Sequence, residues 1–237
     1  MHTRDLSHVI ETDMPVFPGD PDVSVEPHAT VDADGYRVSA IELGSHTGTH
    51  VDAPSHTQAD GRAIDDVDVD RFAFDAVLAD CTGLGPREAI QRDALPATDA
   101  DLLVVHTGWG QHWGEDVYLD HPFLSPGAAA FCVEQGYDVA IDALNVDPTP
   151  TGHSGDGDYD SDADAGGDAG DAGDAGDAGD DEPAGFQAHH ALLGANQLIF
   201  ENLTDLSGLP DRFEVLAFPL ELRAGDGAPV RAVARYE

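Results

Sequence analysis

The chain has 237 residues, with 47 Asp or Glu against 10 Lys or Arg, and its formal net charge is -37. A surface this acidic repels phosphate groups, which excludes nucleic acid and anionic membranes as expected partners. All the basic residues are arginines, and an acid excess without lysine predicts a halophilic protein. The sequence has no apolar run near the roughly 20 residues that cross a bilayer, no apolar signal region and only two cysteines, so we predict a cytoplasmic chain.

Mixed strand and helix signals follow one another along the chain. The β-forming residues 36–43 predict an early strand, and short apolar runs predict five buried strands, at 77–79, 102–105, 139–141, 198–200 and 215–218. Ser125 as N-cap, Pro126 in the first turn and Gly136 past the end predict a helix up to Gln135. Residues 221–236 are typical of a hairpin that turns near 225–227.

One acidic segment differs from the rest. Between Ser154 and Pro183 the chain is almost entirely Gly, Asp, Ala and Ser, with Asp-Ala-Gly repeats. Such a composition buries too little apolar surface to offset the entropy cost of ordering. We predict a disordered acidic loop inserted into one domain that spans residues 1–237. The segment could also act as a lid over the functional site. However, a closed lid must contact the domain, and the repeats offer few groups that could make such contacts, so we favour a solvated spacer.

The residues that indicate chemistry lie together at 46–56, which read His-Thr-Gly-Thr-His-Val-Asp-Ala-Pro-Ser-His. If the preceding strand continues, the side chains of His46, His50 and Asp52 share one face, because alternate residues of a strand point the same way. A helix is disfavoured by Gly48 and two threonines. Proline does not join a central sheet, so a turn near Pro54 would return the next histidine to the site.

This cluster predicts a metal site. A single histidine is more often structural, but three histidines and an aspartate within eleven residues favour metal ligation. A structural zinc site would more often contain cysteines. The nitrogen and oxygen donors suit zinc or manganese and leave room for water, which favours a hydrolytic site.

The same segment resembles the signature His-x-Gly-Thr-His-x-Asp-Ala-Pro-x-His of the cyclase-like metal hydrolases. That family includes bacterial kynurenine formamidases and isatin hydrolases. Similar runs occur at 14–21, 103–109, 141–148, 189–194 and 199–203, so the resemblance covers nearly the whole chain except the acidic segment. It implies a single α/β domain of the swivelling β/β/α type, often assembled as a homo-oligomer.

The resemblance also implies two divalent ions, with zinc as the first expectation and manganese as the second. His46, His50 and Asp52 would hold one ion. Asp52 would bridge to the other ion, which His189 and Glu201 would also hold.

The remaining roles concern the substrate. The resemblance implies that His56 donates and accepts protons and that Phe17 lines the substrate pocket. Trp109 and Trp113 would either shape that pocket or pack in the core and at its rim.

The implied reaction is cleavage of an amide C–N bond in a small aromatic substrate by metal-activated water. N-formylkynurenine, giving kynurenine and formate, is the first candidate. Kynurenine formamidases usually carry Trp where this chain has Phe17, so an isatin-type cyclic amide is the alternative. A metal-binding module without catalysis would not need His56, and its presence favours an enzyme.

Overall fold

The computed structural model describes residues 1–150, 183 and 185–237. The predicted acidic insertion, 154–183, therefore lies outside the described residues except for Pro183. The helices are α1 (Val31–Asp34), α2 (Pro126–Gln135) and α3 (Gln187–Gly194). The strands are β1 (His2–Asp5), β2 (Ser24–Ala29), β3 (Val38–Glu42), β4 (His50–Asp52), β5 (Ala73–Asp80), β6 (Ala89–Ile90), β7 (Leu102–His106), β8 (Phe123–Leu124), β9 (Asp138–Ile141), β10 (Ile199–Glu201), β11 (Arg212–Leu216), β12 (Gly227–Pro229) and β13 (Val233–Tyr236).

A mixed nine-stranded sheet organises the described chain, in the order β1-β13-β11-β5-β7-β9-β10-β4-β12. Its centre, from β5 through β7 and β9 to β10, is parallel, and the flanking pairs are antiparallel. Two small sheets, β2 with β3 and β6 with β8, lie apart from it. The predicted α/β fold in a single domain is confirmed.

The central strand β7 shows why the sheet is buried on both faces. Leu102 and Val104 point into one apolar cluster, and Leu103 and Val105 point into the other. All four side chains have no exposed surface, as expected for a parallel strand covered on both sides. Burying each one contributes about 1.5–3 kcal/mol.

Helices cover one face of the sheet. Buried residues of α2 and α3, among them Phe131 and Leu192, belong to the cluster that contains Leu103. The helix predicted to end at Gln135 is confirmed, because the Ser125 hydroxyl accepts the N–H of Ala128 and the left-handed Gly136 closes the helix. The other cluster is formed by eight strands of the same sheet together with residues of the connecting segments.

The predicted hairpin at 221–236 is wrong. Both strands within this range, β12 and β13, lie after the start of the predicted turn and do not pair with each other. β12 pairs with β4 at one edge, whereas β13 lies between β1 and β11 near the other edge. Each strand has a partner from the first quarter of the chain, and local pairing across the turn is limited, within the described residues, to a bridge between Pro219 and Val230. No helix of the described residues is long and apolar enough to cross a membrane.

Candidate metal centre

The pairing of β4 with β10 creates the base of the site. In this antiparallel pair His50 lies opposite Glu201, and Asp52 lies opposite Ile199. His50 Nε2 is 3.3 Å from Asp52 Oδ1 and 3.6 Å from Glu201 Oε2. All three side chains are buried. Two carboxylates and an imidazole therefore meet on one face of the sheet.

His46 reaches this base from a turn and not from the predicted strand. β4 begins only at His50, and the left-handed Gly48, with φ of 60°, bends the chain before it. The bend sets the ring of His46 perpendicular to that of His50, with 5.1 Å between centroids. His46 Nδ1 then lies 2.7 Å from Asp52 Oδ1. The predicted continuous strand is wrong, yet the turn brings the same donors together.

A glycine on β12 makes room for that ring. A Cβ at Gly227 would lie 2.8 Å from His46 Cε1 and 2.7 Å from the carbonyl oxygen of Val51. Both distances are shorter than real Cβ contacts, so only glycine lets the edge strand approach β4 beside the imidazole.

Helix α3 supplies the last imidazole from the opposite side. His189 Nε2 lies 3.3 Å from Asp52 Oδ2 and 3.5 Å from Glu201 Oε1. Asp52 thus faces His46 and His50 with one oxygen and His189 with the other. This position between two donor groups is what a ligand shared by two ions requires.

Each of these three imidazoles has an oxygen at its outer nitrogen. His50 Nδ1 lies 2.8 Å from the carbonyl oxygen of Gly48, and His189 Nδ1 lies 2.8 Å from Asp147 Oδ2. His46 Nε2 lies 3.1 Å from Asp226 Oδ2.

An N–H donated outward leaves the inner nitrogen with its lone pair turned toward the carboxylates. That is the tautomer a metal ligand needs, and such outer hydrogen bonds are usual at metal-bound histidines.

The electrostatics of the site favour added positive charge. Burial raises the pKa of Glu201, and the nearby charge of Asp52 raises it further, to about 8. Burial lowers the pKa of His46, but Asp52 and Asp226 outweigh it and raise the pKa to about 11. The pKa of His189 rises to about 10 because a hydrogen bond to Asp147 and the negative charges of Glu201 and Asp52 overcome the effect of burial.

The donor atoms fit divalent metal ions. Two groups, one of His46, His50 and Asp52 and one of Asp52, His189 and Glu201, each place their ligand atoms within 4.8 Å of one another. Asp52 Oδ2 is buried and has no hydrogen-bond partner among the described residues, which a cation would supply. These nitrogen and oxygen donors without cysteine suit zinc or manganese.

A cavity of about 330 Å³ opens above these donors. Its walls include the aromatic rings of Phe17 and Phe186, whose centroids are 6.3 Å apart, and the side chain of Leu144. Apolar walls over a polar base are typical of small-molecule sites. The volume suits a substrate with one aromatic ring.

His56 also lines the cavity. The 3-10 turn Pro54–His56 returns the chain as predicted and puts the ring of His56 4.1 Å from that of His46 and 5.7 Å from that of His189. Its Nδ1 lies 3.5 Å from Asp226 Oδ2. His56 belongs to neither of the buried donor groups, so it is placed to exchange a proton with a molecule in the cavity.

Comparison with known proteins agrees with this geometry. A family model described as "Putative cyclase" matches residues 4–148, more than half of the chain. The chain belongs to the cyclase family.

Individual proteins also match this chain over nearly their full length. A kynurenine formamidase of Salinibacter ruber is 29% identical over 98% of this chain and 96% of its own. A kynurenine formamidase of Bacillus mycoides is 27% identical over the same shares. The structure of an isatin hydrolase bound to the product analogue thioisatinate has a TM-score of 0.77 at 21% identity, covering 98% of this chain and 91% of the other. The resemblance to cyclase-like hydrolases predicted from the sequence is confirmed.

The structure brings together every residue that the sequence predicted for the site. His46, His50, Asp52, His189 and Glu201 form the two donor groups. His56 and Phe17 line the cavity above them. Their individual roles as ligands, proton carrier and pocket wall remain predictions.

The structure decides between the two predicted positions of the tryptophans, in the pocket wall or in the core and at its rim. Trp109 is buried in the helix-side cluster, and the ring of Trp113 stacks on His8 with centroids 3.9 Å apart. Neither lines the cavity. Phe186 also forms an aromatic wall of the cavity, and it was not predicted from the sequence. The only indication in the sequence is that this residue is apolar and lies directly before the segment that forms α3.

Two carboxylates of the site were also missed. Asp147 lies in a loop after β9, in the run Asn-Val-Asp-Pro, and Asp226 lies in the turn before β12. Aspartates are common in turns, and this chain is rich in them, so composition hid both. In the structure, both are distinguished by a carboxylate oxygen close to an imidazole nitrogen, and Asp147 is also fully buried.

Proposed function

We propose that the chain is a metal-dependent hydrolase that cleaves the amide C–N bond of an aromatic formamide, with N-formylkynurenine as the first candidate substrate. The observation that carries the proposal is the placement of Asp52. This buried carboxylate lies between two donor groups at the base of a cavity that has aromatic walls and the imidazole of His56, which belongs to neither donor group.

In this proposal two ions bind. His46, His50 and Asp52 hold one, and Asp52, His189 and Glu201 hold the other. Zinc is the first candidate and manganese the second. Divalent ions at such a site lower the pKa of bound water and polarise a carbonyl oxygen.

The protein residues around the cavity orient the substrate and transfer a proton to its leaving nitrogen. Phe17 and Phe186 hold the aromatic ring, which directs the formamide toward the donor groups. His56 takes up a proton and delivers it to the leaving nitrogen, a role suited to an imidazole whose ordinary pKa lies near neutrality. The leaving aniline then departs as a neutral amine, and formate is the second product.

Comparisons support this substrate class and also favour one rival. Full-length matches to kynurenine formamidases support a formamide. The fold shared with an isatin hydrolase, at a TM-score of 0.77, favours opening of a cyclic amide instead. A metal-binding module without catalysis is a third reading, and the position of His56 in the cavity weighs against it.

A substrate comparison on the full chain tests the proposal. The protein is reconstituted with zinc or manganese in high salt, bound metal is counted, and hydrolysis of N-formylkynurenine is followed through kynurenine absorbance. Isatin ring opening is measured in parallel. We expect about two metal equivalents and faster turnover of the formamide. Faster isatin opening would favour the rival, and bound metal without turnover of either compound would favour the binding module.

The cellular setting completes the proposal. We propose a cytoplasmic protein in a salt-rich interior, on the basis of the net charge of -37 and the absence of lysine. We also propose a homo-oligomer. Exposed apolar side chains on and beside the β2–β3 ribbon, including Tyr36 and Ile41, support it.

A further inference from the structure

Asp226 occupies a fixed position beside His46 and His56. It directly precedes β12, where Gly227 pairs with Asp52 of β4. Its carbonyl oxygen accepts the N–H of Ala53 at 2.8 Å, and the carbonyl oxygen of Gly225 accepts that of Ile64 at 2.8 Å. The turn is therefore tied to the backbone on both sides of residue 226, and the carboxylate projects from a rigid base.

A single oxygen of this carboxylate reaches two imidazoles. Asp226 Oδ2 lies 3.1 Å from His46 Nε2 and 3.5 Å from His56 Nδ1. The two rings are 4.1 Å apart at their centroids. His46 belongs to a buried donor group, whereas His56 does not, so Asp226 connects the metal centre to the proposed proton carrier.

We propose that Asp226 is a positioning residue that fixes the orientation and tautomer of both His46 and His56. This inference rests on the proposed function for the role of His56. An ionised carboxylate only accepts hydrogen bonds, so each nitrogen facing it carries a hydrogen. His46 then offers Nδ1 to the ion beside Asp52, and His56 offers Nε2 to the substrate. A carboxylate orients the catalytic histidine of hydrolytic triads by the same logic.

The competing interpretation is a further metal site. His46, His56 and Asp226 also place donor atoms within 4.8 Å of one another. However, Asp226 contacts Nε2 of His46, whereas Asp52 contacts Nδ1 of the same ring. An ion bound to one of these nitrogens therefore cannot bind both carboxylates. A separate ion here would compete with the hydrogen bonds that prepare His46 for the buried group. Metal counting separates the two interpretations.

The test uses the full chain with zinc and three variants. Asp226→Asn removes the charge with little change in size, and Asp226→Ala removes the group. Asp65→Asn is the matched control, because Asp65 Oδ1 accepts the N–H of Ala224 in the same turn and no contact of the described structure joins it to the histidines. For Asp226→Ala we expect metal affinity or kcat to fall by about 10–100-fold, the usual effect of losing an outer partner of a metal ligand. KM should change little.

Two readouts separate positioning from a merely structural role. Long-range proton–nitrogen NMR of the zinc-loaded protein should show hydrogens on His46 Nε2 and His56 Nδ1, and Asp226→Ala should disturb both. The second readout is kinetic: Asp226→Asn should lower kcat with little change in KM, as expected when the ring of His56 loses its orientation while the pocket stays intact. Asp65→Asn should change neither.

Three results would overturn the inference. Unchanged imidazole signals and metal affinity in Asp226→Ala would show that the carboxylate does not position the rings. Loss of one metal equivalent from a parent that binds three would identify a ligand instead. An effect of Asp65→Asn equal to that of Asp226→Asn would identify a loop-folding role. If the parent hydrolyses no formamide, the proposed function fails, while the NMR and metal readouts still test Asp226.

Discussion

His189 Nδ1 lies 2.8 Å from Oδ2 of Asp147, a carboxylate with no exposed surface. The same carboxylate accepts the backbone N–H groups of Ala188 and His189 at 2.7 and 2.9 Å. These groups belong to the first turn of α3, where a helix has no internal acceptors for its N–H donors. Asp147 therefore both caps α3 and orients the imidazole of His189. These contacts fix His189 relative to Asp52 and Glu201.

Replacing Asp147 with Asn tests this double role. Asparagine offers one acceptor oxygen where the carboxylate offers two, so a buried donor loses its partner. We expect a loss of about 1–3 kcal/mol in unfolding free energy. Affinity for one of the two ions should fall about 10–100-fold, since His189 loses its outer hydrogen bond. Denaturant unfolding and metal titration measure both, with the exposed Asp116→Asn as control. Two ions bound at parental affinity would contradict the prediction.

The local parts of this fold could be predicted from sequence because local signals determine them. β7 follows from its apolar run, and α2 follows from Ser125 and Gly136 at its ends. The signature at 46–56 predicted the first donor group, since its donors are close in sequence. The contacts between His46 and Asp226, 180 residues apart, and between His189 and Asp147 depend on the assembled sheet and α3. No local pattern marks these carboxylates.

Asp52→Ala tests whether one carboxylate serves both ions. Asp52 Oδ1 faces His46 and Oδ2 faces His189, so removing the side chain takes an oxygen from each donor group. We expect loss of both ions, measured as metal equivalents after reconstitution and desalting. Circular dichroism checks that the variant folds. Retention of one ion would show that the two groups bind independently, and full loading would remove the shared ligand from the proposal.

His56→Ala separates proton transfer from metal binding. The ring lies in the cavity, outside both buried donor groups, so metal content should stay at the parental level. Turnover should fall on the order of 10²–10⁴-fold, the usual contribution of general acid–base catalysis. Parallel measurements of bound metal and kcat decide the outcome. Parental turnover would exclude the proton-transfer role, and lost metal would make His56 a ligand.

His121 should make stability fall in mild acid. Its ring is buried, with Nδ1 2.9 Å from the carbonyl oxygen of Pro122 and Nε2 2.9 Å from Thr149 Oγ1. Burial lowers its pKa to about 4 from the usual 6.5. Between those values the unfolded chain binds a proton that the folded protein does not, so the unfolding free energy decreases as pH falls. Above pH 6.5 the contribution is fully present.

The magnitude follows from the same two pKa values. At pH 5 the loss is about 2 kcal/mol relative to pH 8, at about 1.4 kcal/mol per pKa unit. Other groups also titrate between pH 5 and pH 8, including Glu201 with its pKa raised to about 8. The contribution of His121 must therefore be measured as a difference in stability between the parent and a variant. Urea unfolding of metal-free protein at fixed high salt is compared between the parent and His121→Gln, which keeps polar atoms but does not titrate. The stability advantage of the parent should shrink by about 2 kcal/mol from pH 8 to pH 5. An advantage that stays constant would mean that His121 accepts a proton in the folded protein.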